Sequence, residues 1–305
     1  MAFANELTWS KSRDSLFKEC RRAYYLQYYG SWGGWEKSAP PDVRTLYIMK
    51  NLQNRATWIG SAVHDVAEVA IKAVQRGRPQ DKDRVLKRLE SKLRRDLEES
   101  QEGRYVENPK RFLGLTAHYY DKDSDQGHFE EAIELGLSCA QIFFDSKVYG
   151  RVRQLGPEGI LTVEELQSFP VDGVKVWVKL DLSMKGKDGK VVIVDWKTGK
   201  HHVKEDMDLQ LGVYGLYGTR AWDLGHEQIL AFDVNLRDGS LQTHPIDEST
   251  LTTVEAYIRG SIDEMRSVLD DVETNTASIE NFALTEDLWK CRRCRFRGVC
   301  NRESV

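Results

Sequence analysis

Two periods of apolar and polar residues alternate along the chain. Over residues 46–76, Ile59, Val63, Val66, Ala70 and Val74 recur at three- and four-residue spacing, which predicts a helical region that lays one stripe on a sheet. Leucines at helical spacing in a densely charged stretch predict a helix over residues 81–101. Ile133, Leu137, Ala140 and Phe144 predict another over 129–152, so residues 80–155 read as a helical insertion. The period then changes to two. Residues 160–169, 174–184 and 190–197 read as three strands in a meander, the last two joined by the glycine turn at 187–190. A helix over 208–217 follows, then a hairpin (229–236 and 240–245) around Asp238-Gly239, then a helix over 250–271. A short helix near the start has Ser12 as its expected cap. Helix, three strands, helix, two strands, helix is the order of an α/β domain with a mixed sheet, without internal repeat or low-complexity tract.

The third strand carries the densest chemistry. Val191-Val192-Ile193-Val194 leads into Asp195-Trp196-Lys197-Thr198-Gly199-Lys200, so a buried β-branched strand ends in a carboxylate and an ammonium two residues apart on one face. That pair suits metal-assisted hydrolysis. Acid-x-lysine alone is common here, at Glu90-Ser91-Lys92, Asp145-Ser146-Lys147 and Asp188-Gly189-Lys190. What singles out Asp195 is its strand and the strand before it, which carries Asp181. His64 and Glu68 share a helix face four residues apart, a placement that surface and core histidines also adopt. Gln210 and Tyr214 lie one turn apart on the 208–217 helix, with Leu209, Val213 and Leu216 facing the other way.

Composition narrows the class. Hydrophobic residues make up 40% of the 305, enough for a core, and no run is long enough to span a bilayer. The start, Met-Ala-Phe-Ala-Asn-Glu, lacks a signal peptide's basic and apolar regions, so the expectation is a soluble cytoplasmic protein without membrane contact. A net charge of −4 excludes a uniformly basic nucleic-acid binder but not local patches. Five cysteines without a secretion signal point to metal ligation or free thiols. Cys139 reads as a small buried residue within a helix. Cys291, Cys294 and Cys300 are spaced C-x2-C-x5-C among arginines, whose charge is expected to lower the thiol pKa. Zinc and cubane iron-sulfur sites both take a fourth thiolate, and Cys20 is the candidate outside a regular helical core. Arg292, Arg293, Arg295 and Arg297 with Phe296 and Trp289 read either as a strand guide or as a solvated face.

Gly60-x3-His64, Asp181, Asp195-Trp196-Lys197-Thr198-Gly199-Lys200 and Gln210-x3-Tyr214, in this order, resemble the RecB-like exonuclease branch of the PD-(D/E)XK nuclease superfamily. With Cys20, Cys291, Cys294 and Cys300 the chain is similar to the AddB-like and CRISPR-associated RecB-type members that carry an iron-sulfur cluster. The resemblance spans residues 8–300 apart from the 80–155 insertion. It implies one nuclease domain over 1–305 with a restriction-endonuclease-like core, and a staple of Cys20 and residues 285–301 joining the termini. It implies that His64, Asp181, Asp195 and the Trp196 carbonyl bind Mg2+ or Mn2+, that Lys197 is the catalytic lysine, and that Gln210 and Tyr214 line the strand-binding side. The four cysteines would hold a structural 4Fe-4S cluster, and Glu164 occupies a place where the family often has an acid. Two positions depart from the pattern: Arg21 stands where a proline usually follows the first cysteine, and Val178 where a glycine usually stands three residues before the second-strand aspartate.

The activity so implied is metal-dependent hydrolysis of phosphodiester bonds, as an exonuclease on single-stranded DNA. Without a G-x4-G-K-[ST] loop, any helicase is a separate partner, as a CRISPR adaptation protein would be. The rivals are a non-catalytic DNA-binding scaffold on the same fold, and a zinc protein with the same four cysteines.

Overall fold

The computed structural model describes residues 4–121, 127–187, 189–200 and 204–302 of the chain. It begins with strand β1 (Thr8–Trp9) and helices α1 (Lys11–Glu19) and α2 (Arg21–Tyr25). Ser10, not Ser12, caps α1: its backbone is extended, and its hydroxyl accepts from the Arg13 N–H.

The helical region expected over 46–76 is two helices, α3 (Pro41–Asn51) and α4 (Arg55–Gln75). Between them β2 (Leu52–Gln53) leaves the helical path to pair with β3 (Gly114–Leu115), and Asn54 restarts the helix by accepting from the Thr57 N–H. Helix α5 (Lys82–Gln101) precedes β3, and α6 (Thr116–Tyr120) follows it. Residues 129–152 likewise divide, at Ser146, between α7 (Gly127–Asp145) and α8 (Lys147–Leu155), because the Ser146 hydroxyl caps the second helix.

Strands β4 (Ile160–Val171), β5 (Val174–Lys185) and β6 (Val191–Lys197) form the expected meander. Of the turn before β6, Asp188 lies outside the described residues; Gly189 has φ +74° and the Lys190 N–H bonds the Lys187 carbonyl. Helix α9 (Lys204–Ala221), strands β7 (Ile229–Asn235) and β8 (Leu241–His244), helix α10 (Glu248–Arg266) and the short α11 (Leu288–Arg292) complete the chain. Helix α10 ends before the expected Asp271, because Asp270 and Asp271 exchange backbone hydrogen bonds with Thr276 instead.

Strand β5 is the spine of the mixed sheet. Antiparallel β4 follows one of its edges from Val171↔Val174 to Ile160↔Met184. The opposite edge is shared between β1, parallel at Trp9↔Val176, and β6, antiparallel from Lys185↔Val191 to Leu182↔Val194. Beyond Leu182↔Val194 the ladder of β5 and β6 stops, so Asp181 and Asp195 stand where it opens. Strand β7 runs parallel to β6, and β8 antiparallel to β7.

Helices cover both faces. Val63 and Ala70 of α4 pack with α5, α7 and α8 against Leu182, Val194 and Trp196. On the other side Phe17 of α1, Leu211 of α9 and Ile258 of α10 pack against Val176 and Ile193. Val63 and Ile193 are 0% exposed, and full burial of such side chains contributes about 1.5–3 kcal/mol each. All five residues of the expected α4 stripe are buried.

Candidate active site

The aliphatic run of β6 anchors the strand between both helical layers, so its end is held firmly where the ladder opens. Trp196 turns into the α4 layer, edge-on to Phe143. Asp195 and Lys197, on the opposite parity, turn toward α9, with Lys197 Nζ 2.6 Å from Asp195 Oδ2. Gln210 of α9 ties the pair together, donating to Asp195 Oδ1 (2.7 Å) and accepting from Lys197 (3.2 Å). Its amide also donates to the Tyr214 hydroxyl (3.0 Å), which donates to the Lys179 carbonyl (3.0 Å). Tyr214 is buried and braces Gln210 from below.

From the other face α4 contributes His64. Its Nδ1 lies 3.0 Å from Glu164 Oε1 and 3.4 Å from Asp181 Oδ1, while Nε2 lies 3.1 Å from the Trp196 carbonyl. The second Asp181 oxygen accepts from the Trp196 N–H (2.7 Å). A side chain at Gly60 would put Cβ 3.1 Å from Thr198 Oγ1, so glycine lets α4 approach the turn after β6. Glu68, in contrast, pairs with Lys72 (2.6 Å).

His64, Asp181 and the Trp196 carbonyl thus come together, and Asp195 pairs with Lys197 at the adjoining strand end. The close trio, however, is His64, Glu164 and Asp181, whose ligand atoms lie within 4.8 Å of one another. Glu164 has φ +53° inside a strand, a left-handed conformation that costs about 1–2 kcal/mol for a non-glycine residue. The kink redirects the strand: Val163 packs in the α4 layer, yet Phe169, of the same alternation, packs in the α9 layer. Glu164 falls between the pairs Val163↔Leu182 and Glu165↔Leu180, beside Asp181. Lys179, which sequence reasoning did not single out, pairs with the other Glu164 oxygen (2.6 Å); its signal was alternation, two residues before Asp181 on one face.

The electrostatics reflect crowded acids. Burial opposes a charge on His64, but Asp181 and Glu164 outweigh it and raise its pKa well above the ordinary value. The imidazolium therefore donates from both nitrogens and supplies positive charge among the acids. Burial, then Asp181, pushes Asp195 up to about 7. Asp195 Oδ2 is buried without a hydrogen bond, since the nearby Lys197 ammonium is not aligned to donate to it. Two aspartates, a glutamate, an imidazole and a backbone carbonyl oxygen are donors a divalent ion takes, and the set fits Mg2+ or Mn2+. A groove of about 510 Å3 opens onto Lys197 and Gln210, walled by Lys11 and Ser15 of α1, Trp177 and Lys179 of β5, and Met207 of α9.

Cys20, Cys291, Cys294 and Cys300 line one cavity of about 260 Å3, whereas Cys139 is buried within α7. Cys20 sits in the extended link between α1 and α2, and the Arg22 N–H and guanidinium bond the carbonyls of Ala283 and Phe282, so the start and end of the chain meet here. The expected lowering of the thiol pKa does not hold for two of them. Burial pushes Cys294 up to about 11 against the Phe296 N–H that points at it, and raises Cys300 because it outweighs Arg22 and Arg302.

A model of the PD-(D/E)XK nuclease superfamily matches residues 8–301, nearly the whole chain and every residue of the site. The chain belongs to the PD-(D/E)XK nuclease superfamily. Membership agrees with the mixed α/β fold, and makes DNA the substrate class and a divalent metal ion the expected cofactor. No curated protein matches the sequence. Among solved structures, the crystal structure of SSO0001 is 17% identical over 59% of this chain and 81% of that one, with a TM-score of 0.29, too low to carry an argument. No helix among the described residues of this superfamily member is long and apolar enough to cross a membrane.

Proposed function

We propose that this protein is a metal-dependent exonuclease on single-stranded DNA, with His64, Asp181, Asp195 and the Trp196 carbonyl as metal ligands and Glu164 beside them. The observation that carries the reading is the trio of His64, Glu164 and Asp181, whose ligand atoms lie within 4.8 Å of one another, with His64 against the Trp196 carbonyl and the Asp195–Lys197 pair at the adjoining strand end. A bound Mg2+ or Mn2+ ion supplies Lewis-acid charge to the phosphate and acidifies the attacking water. Lys197, held by Asp195 and Gln210, places its ammonium to orient that water and to balance charge on the phosphate. Tyr214 keeps Gln210 in position. Trp177 offers a stacking face along the groove to Lys197, whose other lysines, Lys11 and Lys179, pair with Asp206 and Glu164; a stacking face favours an unpaired strand.

The four cysteines are assigned to a structural 4Fe-4S cluster. They face one cavity, and the Phe296 N–H already points at Cys294 Sγ (3.4 Å). A helicase or a CRISPR adaptation protein is the partner class, since unwinding needs a motor this sequence lacks.

The test is digestion of linear and circular single-stranded DNA of one sequence with Mn2+, by wild type and Asp181→Asn. Loss of the linear strand alone, abolished in the variant, is expected. Cutting of the circle would overturn the exonuclease reading, and no cutting of either would favour the scaffold.

A further inference from the structure

The 80–155 segment carries charge that the catalytic site does not use. Along α5, Arg84, Lys87, Arg88, Lys92 and Arg95 recur at three- and four-residue spacing and so share one face. At 1.5 Å per residue the row is roughly 16 Å long, with about three cations to every two turns. The rest of the helix is neutralised: Lys82 pairs with Asp145, and Arg94 with Glu90 and Glu130. On the shared face only Lys92 is paired, with Asp96. Among the described residues no carboxylate lies within 4.0 Å of the charges of Arg84, Lys87, Arg88 or Arg95, and all four are exposed.

The row borders two adjoining clefts of about 610 and 540 Å3 that share Lys92 and Arg95. The second runs past Lys110 and Arg111 and reaches Ser61 and Asp65, on the turn of α4 that carries His64. Of the five acids in the clefts, Asp96 pairs with Lys92, Glu99 pairs with Arg104 and Asp81 caps α5 through the Arg84 N–H, while Asp83 and Asp65 make no ion pair among the described residues. In a chain of net charge −4, a regular row of unpaired cations that leads toward a phosphodiester-cutting site is selective for a polyanion. The exposed side chains of the row include no large apolar group, so a protein partner would find no core for an interface there.

We propose that this face of α5 and the cleft it borders bind the phosphodiester backbone of the nucleic acid whose end lies in the active site. The inference rests on the nuclease reading for the identity of the polyanion. It adds a second anchoring surface on the α4 side of the sheet, across from the groove at Lys197.

The test is fluorescence anisotropy of labelled single-stranded and duplex oligonucleotides, in chelator and at several salt concentrations. Wild type is compared with the quadruple variant Arg84→Gln, Lys87→Gln, Arg88→Gln, Arg95→Gln and with Arg94→Gln as control. The quadruple variant is expected to bind at least about tenfold more weakly at ~0.1 M salt, with the salt slope smaller by about 3 on single strands, at ~0.7 per lost contact. Arg94→Gln should match wild type, as should the melting of both variants and their hydrolysis of a dinucleotide. The arm with the larger loss identifies the form bound. An unchanged salt slope in both arms overturns the proposal. A wild type that binds with the larger slope but never cuts refutes the nuclease reading and leaves this surface standing.

Discussion

In chelator, Asp195→Asn should make the protein more stable. Asp195 is buried with its carboxyl pushed up to about 7, against about 3.9 in an unfolded chain. Because the folded value is the higher one, the unfolded state sheds its proton first. The stability that the protonated carboxyl contributes is complete below about pH 4 and is lost as pH rises to 7. A shift of about three units amounts to about 4 kcal/mol at most. Asparagine keeps an acceptor for Gln210 but leaves the Lys197 ammonium with the Gln210 carbonyl alone, which takes back about 1–3 kcal/mol. The net gain at pH 8 is about 1–3 kcal/mol, or a melting temperature higher by about 2–5 °C for a chain of this size. Melting curves of both proteins in chelator, from pH 5.5 to 8, should show a gap that widens with pH. Adding Mn2+ at about 1,000 times its Kd should then stabilise the wild type alone, by about 4.1 kcal/mol, and reverse the order. A variant that melts below wild type in chelator at pH 8, or gains equally from Mn2+, would refute the reasoning.

Glu164→Gln should weaken Mn2+ binding about tenfold or more by calorimetry, while Glu68→Gln, whose carboxylate pairs with Lys72, should not; equal affinities would remove Glu164 from the ligand set. Cys291→Ala should bleach the visible absorption of anaerobically purified protein and lower its melting temperature, and unchanged colour would take that cysteine out of the cluster. Lys50 has its ammonium pushed down to about 8 by burial and then by Lys110 and Arg13, so its charge costs stability at pH 7 and the cost fades above pH 8. Lys50→Met should therefore stabilise by about 1 kcal/mol at pH 7, allowing for solvent screening, with a smaller gain at pH 9; a gain that does not shrink with pH would contradict this.

What could be read from the residues alone depended on how local the cause was. The β6 run and the strand before it were legible because β-branched residues and period two are local signals, and they placed Asp181 and Asp195 at the opening of the ladder. The α4 stripe was legible for the same reason. The break at Leu52–Gln53 was not, because it depends on pairing with Gly114–Leu115, sixty residues away. Glu164 received too little weight, since nothing in Thr162-Val163-Glu164-Glu165 announces a left-handed residue that turns its carboxylate toward His64. The thiol argument failed on magnitude: arginine neighbours were visible, but the burial that outweighs them at Cys300, and that raises Cys294 as well, arises only when both ends of the chain meet.

The measurement that bears most directly on the account is digestion of end-labelled single-stranded DNA by protein purified anaerobically, with Mn2+, Mg2+ or chelator, beside Lys197→Ala. The account predicts metal-dependent release of label by wild type, none in chelator, and at least a hundredfold loss in Lys197→Ala with its fold and Mn2+ binding retained. Release that persists in chelator, or at an undiminished rate in Lys197→Ala, would contradict the assignment of catalysis to the end of β6.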